Sequence, residues 1–126
     1  MNSRGFHVYA ALEGGGLGLE AIREALPVGT PLRAVSLVEA RGGGGIQHDA
    51  DLVIVGCAQA HEQALEVISA ASVQRADRPV VVLYHGSPNG FLERACEAGA
   101  DDLVSRPQSA GQLGFALEKA LARRRG

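Results

Sequence analysis

Short apolar runs alternate along this chain with stretches in which apolar residues return every three or four positions. The first pattern predicts buried strands and the second amphipathic helices, and their alternation predicts βα units around a parallel sheet. The first strand is predicted over residues 7–12, and the helix after it over residues 17–26, where Leu19, Ile22 and Leu26 share a face. Pro27 and Gly29 break that helix, and a second strand follows over residues 32–38. Residues 39–50 contain Gly42-Gly43-Gly44-Gly45, whose backbone entropy opposes helix formation. The second helix of the βα series is therefore expected to be short, displaced or absent.

A third strand is predicted over residues 51–55, and a helix over residues 60–76 with Ala64, Val67, Ile68 and Ala71 facing inward. Pro79 opens a fourth strand, Val80–Tyr84, whose unbroken apolar run suits a strand covered on both faces. Ser87-Pro88 reads as a helix cap followed by proline at the first helical position. Leu92, Ala95, Cys96 and Gly99 then mark one face, and Gly99 suits the left-handed residue that ends a helix. Leu103-Val104 makes a short fifth strand, Ser109-Ala110-Gly111-Gln112 fits a capping box, and Leu113, Leu117, Ala120 and Leu121 line the last helix. The expected architecture is one doubly wound α/β domain over residues 1–126, with five parallel strands and helices on both faces.

Composition narrows the function more than the fold. Apolar residues make up 46% and charged residues 21% of the 126, a balance that excludes a disordered chain. With a net charge of −2 and a single basic run, Arg123-Arg124-Arg125, the chain lacks the basic face that nucleic acid requires. That run reads as a solvated helix end. Apolar runs stop at four to seven residues and no secretory leader precedes them, so a cytoplasmic protein without a membrane partner is expected. Cys57 and Cys96 have no metal-site or disulfide spacing and read as small buried hydrophobes in a reducing compartment.

The order of features over residues 78–121 carries a family likeness. A buried strand, a proline-started helix, Ala98-Gly99-Ala100, a short strand, Arg106-Pro107 and a final amphipathic helix follow one another. This resembles the second half of a response-regulator receiver domain, the CheY-like family of two-component signal transduction. The resemblance implies a flavodoxin-like fold and a phosphorylation pocket at the carboxyl ends of the strands. In the family that pocket holds Mg²⁺ on an acidic pair after the first strand. It carries a nucleophilic Asp ending the third strand, Thr or Ser ending the fourth, and Lys-Pro after the fifth.

Carried onto this chain, the pattern finds other residues. The third strand reads Asp51-Leu52-Val53-Ile54-Val55-Gly56, so Gly56 stands at the nucleophile position with Cys57 next, and neither can form an acyl phosphate. The fourth ends Leu83-Tyr84-His85, the Lys becomes Arg106, and only Glu13 is acidic near the end of the first. Leu103 falls where the family has its aromatic switch residue. Arg keeps a charge but not the compact ammonium of Lys, and one carboxylate is a poor Mg²⁺ site. Glu13, Gly56, Cys57, Tyr84, His85 and Arg106 therefore describe a degenerate phosphorylation pocket, with Tyr84 expected to plug it and Arg106 to pair with Glu13, Asp101 or Asp102. No catalytic residue, metal or cofactor is expected.

The resemblance then implies a pseudo-receiver that regulates by protein–protein interaction. Its partner is expected to be another protein or a second copy, met through residues 89–125 with Phe91, Leu103 and Phe115 as apolar contacts. Degenerate receivers of this kind occur ahead of the ATPase domain in pilus-assembly and localisation ATPases, a junction that the Arg-rich end would suit. Two other readings stand beside it. A phosphorelay receiver would need Asp49 or Asp51 as its acceptor, although Asp51 begins its strand on the wrong edge of the sheet. A nucleotide or small-ligand sensor would use residues 14–21, where Gly16, Gly18 and Ala21 match a dinucleotide fingerprint and Glu39 could bind ribose. In a chain of 17 glycines, a flexible turn is the plainer account of that match. His61-Glu62 lacks the second His of a zinc protease motif.

Overall fold

Strands without a polar face have nothing to turn to water, so they gather in the middle of the molecule. β1 (Val8–Leu12) and β3 (Leu52–Cys57) are buried along their whole length, and β4 (Val80–Tyr84) is buried up to Tyr84. The computed structural model describes residues 7–41, 46, 49–86, 90–105 and 110–125. It joins these strands with β2 (Leu32–Ser36) and β5 (Asp102–Ser105) in one parallel sheet of order β2-β1-β3-β4-β5. α1 (Leu19–Ala25) and α5 (Ala110–Arg125) cover one face, where Ile22, Leu113, Leu117 and Ala120 pack on Val8, Leu12, Ile54 and Leu83. α2 (Leu37–Arg41), α3 (His61–Gln74) and α4 (Phe91–Ala98) cover the other through Leu37, Val67, Ile68, Phe91 and Ala95. This is the flavodoxin-like doubly wound fold, with its switch point between β1 and β3.

The second helix is present and five residues long. β2 stops at Ser36, two residues earlier than its apolar pattern suggested, because Ser36 and Glu39 form a reciprocal capping box. The Ser36 amide donates to Glu39 Oε1 at 2.9 Å and the Glu39 amide to Ser36 Oγ at 3.1 Å. Leu37 and Val38 thereby enter α2, and Glu39 serves as a cap rather than a free acid at a strand end. The four-glycine run lies outside the described residues.

α4 corrects another expectation. It starts after Gly90, whose φ of 83° sets the entry, and its buried stripe is Phe91 and Ala95 with Ala98 and Leu92 half-buried. Cys96 is exposed rather than a small core residue. Phe91, expected as an interface contact, is 2% exposed and belongs to the core, edge-on to the His61 ring at a centroid distance of 4.7 Å. Gly99 ends the helix with φ 123°, its amide bonded to the Cys96 carbonyl.

At the amino edge of the sheet two aspartates tie strands together. The Asp51 carboxylate accepts from the His7 amide at 2.7 Å while its own amide donates to the His7 carbonyl. Asp101 does the same with Val80. Buried Arg78 gathers the carbonyls of Ala50 and Ala71 and the Gln74 side chain beneath them. Among the described residues no helix is long and apolar enough to cross a membrane.

Candidate functional site

Register brings the expected pocket residues to one edge. Leu12 lies opposite Gly56, Cys57 opposite Tyr84, and Tyr84 opposite Ser105, so the carboxyl ends of β1, β3, β4 and β5 share the edge at which doubly wound sheets have their crevice. Crevices of this kind, at a switch point, are where such sheets bind ligands. Arg106 lies outside the described residues, as do Ser87-Pro88 and Ser109 with their caps.

Gly56 is hemmed in. A Cβ at this position would lie 2.8 Å from Leu12 Cδ2 and 3.0 Å from the Leu17 carbonyl oxygen. Leu12 is fully buried. The glycine-rich loop after β1, with Gly14, Gly15 and Gly18 at φ 69°, 85° and 84°, brings the Leu17 carbonyl over the end of β3. Leu12 and this loop, rather than Tyr84, fill the space beside Gly56. Tyr84 leans to the opposite face, half-buried, with its ring 6.4 Å from that of Phe91. Neither Leu12 nor Leu17 was foreseen as a site residue.

Glu13 reaches across the crevice. Its Oε1 accepts from the amides of Ala58 at 2.7 Å, Gln59 at 2.9 Å and Ala60 at 2.9 Å. Burial works to raise its pKa, but these three donors together with His61 outweigh burial and hold the carboxyl below its ordinary range. The carboxylate is thus committed to the β3–α3 loop.

Cys57 is buried, and burial, with the Glu13 charge adding to it, pushes its thiol up to about 12. The thiolate is the reactive form. At neutral pH a thiol reagent is therefore expected to label Cys96 quickly in the folded protein and Cys57 only after unfolding. Equal native-state labelling of both, read by mass spectrometry, would contradict this placement.

His85 is exposed, its amide donating to the Cys57 carbonyl at 3.0 Å. His61 opens α3 with Nδ1 3.2 Å from the Gln59 carbonyl, and Glu62 forms a bidentate pair with Arg94. Asp49 is exposed, and Asp51 sits at the opposite edge from the crevice, engaged with His7. Asp102 pairs with Lys119 at 3.3 Å. Leu103 is half-buried and Phe115 is 66% exposed, with Lys119 Nζ 5.7 Å from its ring centre. Among the described residues no three His, Cys, Asp or Glu side chains converge as a metal site would require.

No family model and no curated protein matches the chain. Solved structures match it almost end to end. The signal receiver domain of an HD domain-containing protein from Pseudomonas fluorescens Pf-5 superposes with a TM-score of 0.76 at 18% identity, covering 99% of this chain and 93% of that one. A response regulator from Thermotoga maritima gives 0.73 at 21% identity, covering 93% of this chain and 98% of the other. A Burkholderia thailandensis E264 protein provisionally assigned to pilus assembly gives 0.73 at 16% identity, with coverage of 93% and 98%. At these identities the likeness is one of fold, and the fold is that of CheY-like receiver domains.

Proposed function

We propose that this chain is a non-catalytic, receiver-like signalling module that acts through protein–protein contact and is not phosphorylated on Asp. The observation carrying this reading is Gly56, a residue without a nucleophile whose missing side chain is replaced by Leu12 and the Leu17 carbonyl. The likeness to receiver domains supports a regulatory role, and the likeness to the Burkholderia thailandensis protein supports a place in pilus assembly.

The contact face we assign is α4, β5 and α5, with Phe115 as its exposed apolar residue and Leu103 beside the core edge. Phe91 is withdrawn from it because it is buried. A second copy of the chain is the partner this reading favours, since one exposed aromatic on a long helix can meet its own counterpart across a two-fold axis.

Titration with beryllofluoride and Mg²⁺, followed by amide NMR, tests the phosphoryl part. The expected result is no saturable shift at Gly56 or Tyr84, and shifts concentrated there would sink the reading. Sedimentation at rising concentration tests the second copy, with a Phe115→Asp variant expected to weaken any association.

A further inference from the structure

Three successive backbone amides turned toward one point make an anion nest. Ala58, Gln59 and Ala60 make one here, just ahead of the 14-residue helix α3, whose positive dipole end adds to it. The local sequence supplies no acceptor for these donors, because the N-cap residue is Ala60 and no side-chain cap bond is present at the helix start. The acceptor comes from the end of the neighbouring strand β1, 45 to 47 residues away in sequence, as a single oxygen of Glu13. Glu13 is itself fixed by its position at the start of a 3-10 turn, with its own carbonyl accepting from the Leu17 amide at 3.3 Å.

We propose that Glu13 is an internal ligand: its carboxylate permanently fills an oxyanion site made by the Ala58, Gln59 and Ala60 amides. The crevice at the carboxyl edge is thereby held in an anion-bound arrangement without phosphate or any other external ion. Three charge-assisted bonds at one oxygen leave these amides no donor for a competing oxyanion. The same side chain bridges the loop after β1 to the start of α3, so the two loops are coupled through one carboxylate. Glu13 fills the site whichever partner the domain meets.

The test compares the wild-type chain with Glu13→Ala and Glu13→Gln by amide NMR, with sulfate titrated against chloride at constant ionic strength. In the wild type the amide protons of residues 58–60 are expected far downfield and indifferent to sulfate. In Glu13→Gln, which keeps a neutral acceptor, the three protons are expected to move upfield together. In Glu13→Ala sulfate is expected to produce saturable shifts confined to these amides, at least about tenfold tighter than any wild-type response, as loss of a charged acceptor implies. Equal sulfate binding by wild type and Glu13→Ala, or no binding by a folded Glu13→Ala, would overturn the proposal. If Glu13→Ala does not fold, Glu13→Gln decides alone, since unchanged positions of the three protons would overturn it too.

Discussion

Gly56→Asp is expected to destabilise the protein by about 3–5 kcal/mol, lowering its Tm by roughly 10–20 °C, and to give no response to beryllofluoride. The first carbon of the new side chain already lies 2.8 Å from a Leu12 methyl and 3.0 Å from the Leu17 carbonyl oxygen. Leu12 is fully buried between β1 and the α1–α5 layer, so its methyl has no free direction in which to retreat. The carboxylate would also stand against a carbonyl oxygen, an acceptor facing an acceptor, without a described cation beside it. Urea unfolding measures the loss, with an unchanged m-value indicating that stability and not compactness has altered. Near wild-type stability would mean that the loop yields readily and that the crevice is not closed. An acid placed at position 56 is therefore not expected to act as a phosphoacceptor, because Leu12 and the Leu17 carbonyl occupy the space it would need.

Gly99→Ala is expected to cost about 2–4 kcal/mol, from two separable causes. At φ 123° the backbone is in a region that side chains with a Cβ avoid, and the added methyl would collide with the Ser72 side chain on α3. A cycle with Ser72→Gly separates them. The collision is relieved in the double variant, while the backbone cost persists. Full recovery in the double variant would remove the conformational half of this account, and no recovery would remove the steric half.

The strands were legible because their burial leaves long apolar runs, and β4 has the bounds its pattern predicts. The inward face of α3, at Ala64, Val67, Ile68 and Ala71, was legible for the same reason, its period matching a single covering sheet. Leu37 and Val38 misled, since two apolar residues after a strand look like more strand. The signal that ends the strand was nonetheless written as Ser36-x-x-Glu39. Cys96 misled by helical phase: with Phe91 as the first helical residue, the stripe runs through Ala95 and leaves Cys96 outside. For the candidate site, the position of Gly56 and Glu13 at one edge of the sheet was legible, but what surrounds them was not. Main-chain amides carry no sequence signature, and the path of a glycine-rich loop across β3 is a long-range result that no local period encodes.

The first strand of this sheet is not an edge. β1 lies between β2 and β3, its residues sealed on both sides, and one of its coverings is α5, the last 16-residue helix. During synthesis β1, α1 and β2 emerge early, yet the other neighbour of β1 arrives only with residues 52–57, and α5, which completes the layer begun by α1, only with residues 110–125. Such distant pairings form slowly. The first half of the domain should thus carry one unpaired edge of β1 and a half-covered apolar face until the later strands and α5 have joined it.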